Sequence, residues 1–476
     1  MFFKNQHWNS VQIQIYNSLT RKKEIFNPIK ENEIKMYTCG VTVYDNCHIG
    51  HARTYISFDM IVRFLKYIGY DVTLVRNITD IDDKIIKRAN DNGESTDQLV
   101  ARFIEKMYQD FDALNILRPD FEPRATDTIP EMLTFIQVLI DKGYAYSVES
   151  GDVYFRVQIF KAYGNLSNQK LSSLISGARV EASEQKEDPL DFTLWKAAKA
   201  GEPSWDSPWS KGRPGWHIEC SAMAKKILGD TFDIHAGGSD LKFPHHENEI
   251  AQSEACNDKK FANYWMHSGM VQVNAEKMSK SLNNFFTIED VLKDYHPEVI
   301  RYFLSSGHYR SEVNYSQDNL ELAKSALVKL YTSLRDINTE NVTSNADSEE
   351  KQKFLAAMSD DFNVPKALAV LFDIAKKINI TKVNDMSLAR KYAGLLKELS
   401  GVLGILQSDP DVFLKSVNTG SNTNRMTDSE IDRLVEARFK ARQSKEWEKA
   451  DKIRDELSEI GVIIEDGKQG STWRME

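Results

Sequence analysis

Cysteine is scarce in this chain. Four residues, Cys39, Cys47, Cys220 and Cys256, are scattered through 476 positions. That spacing excludes a disulfide framework and leaves metal binding or catalysis as roles open to them. Long apolar runs are lacking too, since none approaches the roughly 18 residues of a membrane span, so no membrane partner is expected. Met1–Ser10 has no basic segment followed by an apolar core, so no secretory leader is expected and a cytoplasmic location is. Positive charge is in deficit: 61 Lys and Arg face 70 Asp and Glu, a formal net charge of −9. That argues against a protein built to coat nucleic acid non-specifically, but not against RNA bound through a local basic patch. No internal repeat is found.

What is present is the balance of a folded protein, 41% hydrophobic and 28% charged, long enough for about two to four domains. Lys35–Cys39 begins with apolar-polar alternation and runs into Gly40, which predicts a strand ending in a turn. Phe58, Ile61, Val62, Leu65 and Ile68 share a stripe that predicts a helix over Tyr55–Ile68, stopped at Gly69. Asp71–Asn77 predicts a second strand, and strand, helix, strand is the unit of a parallel α/β sheet. Phe232–His235 and Met270–Val273 are expected as later strands of it. The sheet domain thus spans 1–118 and 215–313, interrupted by a mixed insertion, 119–214. Residues 314–407 predict an α-helical bundle, with Leu320, Ala323, Leu327 and Leu330 on one face. Residues 408–427, rich in Ser, Asn, Thr and Asp, read as a linker. Residues 428–476 are expected to form a small terminal domain with one long charged helix and a short β-like end, Val462–Glu465.

Two motifs carry chemistry. His48-Ile49-Gly50-His51 lies where the first strand passes into the helix. A helix N-terminus offers free N–H groups and a positive dipole end to phosphate, and two histidines there can donate to a phosphate whose charge shifts during attack. Read alone, the tetrapeptide is equally two surface histidines in a turn. Far downstream, Lys277-Met278-Ser279-Lys280-Ser281 sets two lysines three apart in a loop that can track a leaving pyrophosphate; alone it reads as a solvated basic loop. In this order, on either side of a sheet domain, the two resemble the signature pair of class I aminoacyl-tRNA synthetases. The resemblance implies a Rossmann-like catalytic domain that forms an aminoacyl-adenylate from ATP and Mg2+. His48 and His51 would stabilise the α-phosphate, with Lys277 and Lys280 in the loop that closes over ATP and Lys280 on the β and γ phosphates.

The amino acid is indicated elsewhere. Cys39, Cys220 and the run Phe243-Pro244-His245-His246-Glu247-Asn248-Glu249 contain the donors of a zinc site, two thiolates with an imidazole and a carboxylate. Pro244 suits a first helical turn, and His245 and Glu249 are then one turn apart. Spacing alone does not choose His245 over His246, or Glu249 over Glu247.

Several blocks resemble the cysteinyl-tRNA synthetase family: Tyr37–Gly40, Asn77–Lys84, Asp188–Phe192, Leu194–Lys196, Gly212–Ser221 and Phe243–Glu249. The resemblance covers nearly the whole chain. It implies one Zn2+ per chain on Cys39, Cys220, His245 and Glu249, with the substrate's sulfur on the same metal. It further implies an amino-acid pocket that includes Gly40, Thr79 and Trp216, and an adenosine loop, His235–Asp240, with His235 and Asp240 beside adenine and ribose. The helical bundle and the terminal domain resemble the anticodon-binding side. Arg433, Arg438, Lys440, Arg442 and Lys445 lie near Trp447 within one predicted helix. Arg438, Arg442 and Trp473 are the expected tRNA contacts, Trp473 by stacking on an anticodon base. The expected partners are L-cysteine, ATP and tRNA(Cys), and a monomer is expected. The chain departs from the family at Val41, Ala236 and Asn283, where Pro, Gly and Gly are usual; none is a proposed metal ligand or signature residue. Cys47 and Cys256 read as small apolar residues. A cysteine ligase acting on an amino sugar would lack the segment after Asn314, and a non-catalytic RNA-binding paralogue would not need intact signature residues and metal ligands.

Overall fold

Strand β1, Glu33–Thr42, is followed by helix α1, Ile49–Tyr67, and by strand β2, Asp71–Thr79. The two strands pair in parallel from Glu33↔Asp71 to Thr42↔Thr79. The computed structural model describes residues 11–169, 185–273, 276–277, 284–339, 348–417, 426–467 and 470–475. Helix α2, Trp216–Leu228, leads to strand β3, Phe232–Gly238, and helix α3, His245–Asn257, leads to strand β4, Ala262–Ser268. The sheet runs β4–β3–β1–β2, all parallel. β2 and β3 therefore flank β1 on opposite sides, and the winding reverses between β1 and β3. In open parallel sheets that reversal opens a ligand crevice at the strands' carboxyl ends.

Contacts divide the chain into two units, one of residues 1–271, 308–313 and 356–363, the other of 272–307, 314–355 and 364–476. In the first unit Arg53 of α1 is fully buried, and its Nη2 donates to the carbonyls of His308, Tyr309 and Ser311 at 2.6, 3.1 and 3.0 Å. The 308–313 segment is thereby held on α1. The insertion contributes an antiparallel sheet of Ala145–Ser147, Val153–Phe155, Phe192–Ala197 and Gly212–Pro214, paired in that order.

The second unit is helical over Gln317–Leu334, Val364–Asn384 and Met386–Leu403, and Leu320, Ala323, Leu327 and Leu330 are buried. It ends in two helices, Asp428–Gln443 and Trp447–Glu459, and a hairpin of Val462–Gly467 with Gly470–Met475. Arg335, 4% exposed, joins three pieces of this unit: Asp411 at 2.6 Å, Glu465 at 2.7 Å and the Trp473 carbonyl at 2.7 Å.

Four sequence expectations need correction. α1 begins at Ile49, before the apolar stripe, because His48 caps it. The last strand of the sheet is Ala262–Ser268, whereas Val271–Val273 pairs antiparallel with Glu276–Lys277. A parallel strand covered on both faces shows no alternation, which hid Tyr264-Trp265-Met266 from a period-2 search. Within the stretch read as linker, Pro410–Ser416 is a helix: Asp409 caps Asp411 N and Val412 N, and Phe413 is buried against Tyr331, ring centroids 4.0 Å apart. The single charged helix expected at the C-terminus is two, broken where Lys445 takes a positive φ of 62°.

β1 carries a bulge near its carboxyl end. Pairing passes from Thr38↔Arg76 to Val41↔Ile78, so three steps on β1 face two on β2. A Cβ on Gly40 would lie 1.5 Å from the Asn77 carbonyl oxygen. Gly40→Ala is expected to lower unfolding free energy by at least about 3 kcal/mol or to prevent folding, measured by urea denaturation against wild type.

A candidate metal centre beside a helix-start histidine pair

The bulge turns Cys39 out of the regular ladder, as bulges next to sites do. Its Sγ lies 3.9 Å from Cys220 Sγ on α2 and 3.4 Å from Glu249 Oε1 on α3. Cys220 Sγ is 3.6 Å from His245 Nε2, which is 3.1 Å from Glu249 Oε1. These four ligand atoms fall within 4.8 Å of one another, and all four residues are buried. Tetrahedral zinc, with bonds of about 2.3 Å to sulfur, 2.05 Å to nitrogen and 2.0 Å to oxygen, gives edges of about 3.8 Å (S–S), 3.6 Å (S–N), 3.5 Å (S–O) and 3.3 Å (N–O). The four observed separations match these edges.

A second quartet, Cys39, His235, His246 and Glu249, overlaps the first. It fits less well. His235 Nε2 is 2.8 Å from Glu249 Oε2, a hydrogen bond, and His246 Nε2 is 4.0 Å from Glu249 Oε1. Of the two histidines that spacing left open, His245 belongs to the quartet with the more regular edges. His246 instead bridges Cys39 Sγ at 3.3 Å and His267 Nε2 at 2.9 Å, and His267 reaches Ser18 Oγ at 2.8 Å. Pro244 is the residue before α3, at its N-cap.

The charges of the cluster are set by burial and by one another. Burial, then the bond and charge of Cys220, pushes the Cys39 thiol up. The hydrogen bond from Cys39 outweighs burial and brings Cys220 down to about 6. Burial lowers His245, but the charge of Glu249 and the bond to Cys220 overcome it and carry it up to about 10. Burial raises Glu249, yet His235 and His245 hold it well below the carboxylate range. His245 Nδ1 lies 2.9 Å from Nδ1 of His217, whose own value burial takes down to about 3. Imidazoles that bind metal characteristically have such an outer partner. Neither His217 nor His267 was foreseen, because two histidines in separate sequence blocks show no pattern until the sheet brings them together.

His48 and His51 cap α1 reciprocally. His48 Nδ1 accepts from His51 N, and His51 Nδ1 from His48 N, both at 3.3 Å. The rings stack at 3.7 Å. With both Nδ1 atoms accepting, each ring carries its proton on Nε2 and presents a donor at a helix N-terminus. Burial, then the neighbouring His48, keeps His51 well below the usual imidazole value, hence a neutral donor.

The remaining expected residues are spread over both units. Gly40 N donates to Asn77 Oδ1 at 2.8 Å, and Thr79 Oγ1 to Glu219 Oε2 at 2.9 Å. Trp216, 36% exposed, packs its ring 4.2 Å from that of His245. Asp240 is exposed on the turn Ser239–Lys242. His235 does not sit on an open nucleotide loop: β3 continues through Gly238, so His235 is an interior strand residue, fully buried, bonded to Glu249 and stacked on Trp265. Lys277 ends a short strand and Lys280 lies outside the described residues. Trp473 also needs correction. It is 2% exposed in the core of the terminal domain, with Nε1 bonded to Asp432 at 2.6 Å, because the hairpin's alternation turns it inward. The exposed tryptophan of that domain is Trp447, at 57%. Arg438 and Arg442 both pair with Asp466.

The chain is similar to known proteins along most of its length. The family model for the class I (C) tRNA synthetase catalytic domain matches residues 25–325, that for the DALR domain residues 353–407, and that for the cysteinyl-tRNA ligase anticodon binding domain residues 425–474. The cysteine–tRNA ligase of Francisella tularensis subsp. tularensis (strain WY96-3418) is 61% identical over 460 residues, 96% of this chain and 98% of the relative. That of subsp. novicida (strain U112) is 61% identical over 460 residues, 96% and 99% of the two chains. The solved Mycobacterium tuberculosis methionyl-tRNA synthetase in complex with methionyl-adenylate shares the fold, with a TM-score of 0.54 at 15% identity, over 81% of this chain and 91% of that one.

The purified protein is expected to hold about one zinc per chain. Cys220→Ser or His245→Gln should weaken zinc by at least about tenfold, more than His246→Gln does, measured by chelator competition and elemental analysis.

Proposed function

As the chain belongs to the cysteine–tRNA ligase family of class I aminoacyl-tRNA synthetases, we propose that it joins L-cysteine to tRNA(Cys) in two steps. In the first, the cysteine carboxylate attacks the α-phosphorus of ATP, giving cysteinyl-adenylate and pyrophosphate. In the second, a hydroxyl of the terminal adenosine attacks the acyl carbon and AMP leaves. The observation that carries this reading is the buried quartet Cys39, Cys220, His245 and Glu249, with its tetrahedral edges, at the carboxyl ends of parallel strands.

Those four residues would hold zinc. When bound, zinc supplies a soft Lewis acid that takes a thiolate and leaves a neutral hydroxyl, separating cysteine from serine where an apolar pocket distinguishes them by only about 1–3 kcal/mol. Trp216 and Gly40 border the amino acid, and Thr79 contacts it. His48 and His51 donate from Nε2 to the α-phosphate as charge develops on it, already oriented by their mutual caps. Lys277 and Lys280 hold the departing pyrophosphate, and Asp240 takes the ribose; Mg2+ accompanies ATP. The anticodon side falls to the terminal domain, where Trp447 offers the exposed ring that Trp473 lacks. All these roles lie in one chain, which suits a monomer, and four free buried cysteines suit a reducing cytoplasm.

Cysteine-dependent exchange of labelled pyrophosphate into ATP tests the first step. Exchange with cysteine and not with serine, lost in Cys220→Ser, is the expected result; no exchange by folded, zinc-loaded protein would sink the reading. Stacking on an anticodon base is worth about 1–3 kcal/mol, so Trp447→Ala should cut tRNA cysteinylation by about tenfold or more and leave pyrophosphate exchange unchanged.

A further inference from the structure

We propose that Arg335 is a positioning residue for tRNA: its buried guanidinium sets the pose of the terminal domain on the helical bundle. The inference rests on the proposed function, in which the terminal domain takes the anticodon. That domain has a core of its own. Ile431, Val435, Leu457, Val462, Trp473 and Met475 are buried in it, and every described apolar residue packed against it lies within 426–475. Among the described residues, no apolar side chain of the bundle enters that core.

The joint is polar instead. Arg335 is the C-cap of the bundle helix Gln317–Leu334. Its Nε donates to Asp411 Oδ1 at 2.6 Å, in the helix Pro410–Ser416 that Phe413 fixes on Tyr331 of the bundle. Its Nη1 donates to Glu465 Oε2 and its Nη2 to the Trp473 carbonyl, each at 2.7 Å, one acceptor on each strand of the terminal hairpin. One planar fork thus spans two bundle helices and both hairpin strands. Lys415 makes a second link, 3.0 Å from Asp432 Oδ1, which also accepts from Trp473 Nε1. A groove of about 470 Å³ lies beside the joint, lined from the bundle by Arg335, Asp411 and Lys415 and from the terminal domain by Asp432, Lys440 and Thr472. Apolar packing does not close it.

The two links are not equal. Lys415 and Asp432 are partly open to solvent, and such a pair contributes little. Arg335 is buried, and a buried cation is costly unless its donors are met. Here each guanidinium nitrogen has an acceptor, in a fixed fork that a lysine cannot reproduce. Without the fork, neither shared apolar core nor closed packing holds the terminal domain in one pose. A tRNA that spans the bundle and the terminal domain then meets the right pose only part of the time. Its apparent affinity falls by that fraction. Adenylate formation uses no tRNA, so it is untouched.

The test uses full-length, zinc-loaded protein and measures tRNA cysteinylation beside cysteine-dependent pyrophosphate exchange. Arg335→Gln is expected to raise the KM for tRNA by about tenfold or more, with kcat and exchange unchanged. Asp411→Asn lies outside the terminal domain's core and should raise that KM by about threefold. The double variant should be no worse than Arg335→Gln alone, because both changes break one joint. An unchanged KM for tRNA in Arg335→Gln, an additive loss in the double variant, or an equal loss of exchange would overturn the proposal. Should Arg335→Gln fail to fold, Asp411→Asn carries the test, and an unchanged KM there overturns it. A wild-type protein that performs neither exchange nor cysteinylation would instead remove the reading beneath it.

Discussion

The contact between Gly40 and the Asn77 carbonyl is the constraint on which the rest of the site depends. With 1.5 Å between a would-be Cβ and that oxygen, β1 and β2 approach each other at a point that glycine alone permits. The approach goes with the extra residue in β1, and the extra residue takes Cys39 out of the ladder toward α2 and α3. Asn77 then serves both neighbours, accepting from Gly40 N and lying beside Cys220 Sγ. Two thiols 181 residues apart in sequence meet because one backbone defect is tolerated between two strands.

Helix α3 shows what such a centre asks of the fold. His245, His246, Glu247, Asn248 and Glu249 are all buried, and burying polar groups is costly unless each finds a partner. Each does so in a different direction. His245 and Glu249 face the thiols, His246 faces His267, and Glu247 and Asn248 hold the insertion through Gly164, Ser167 and Tyr163. One helical turn thus ties the buried thiol, imidazole and carboxylate cluster, the sheet and the inserted domain together. The polar network is a determinant of the fold as well as of the site.

Legibility divided along the range of the interactions. The β1–α1–β2 unit, the helix-start histidines and the stripe Leu320–Leu330 were readable because their signals are local: a period, a cap, a glycine. β4 was missed because a strand buried on both faces carries no alternation. Trp473 was expected to be open to an anticodon base, and the one terminal helix turned out to be two, because the inward register of the hairpin and the break at Lys445 result from packing, not from composition. His235 looked like part of a turn and is an interior strand residue.

By itself, then, the sequence determined the class of fold, the two chemical motifs and a shortlist of metal donors, since residue types and short spacings limit what chemistry is available. Tertiary structure alone decided which histidine lies beside the two thiols and Glu249, which imidazoles stand behind it, and how the buried polar groups around them find partners. Those outcomes depend on distances of about 3–4 Å between residues far apart in the chain, and no local pattern encodes them.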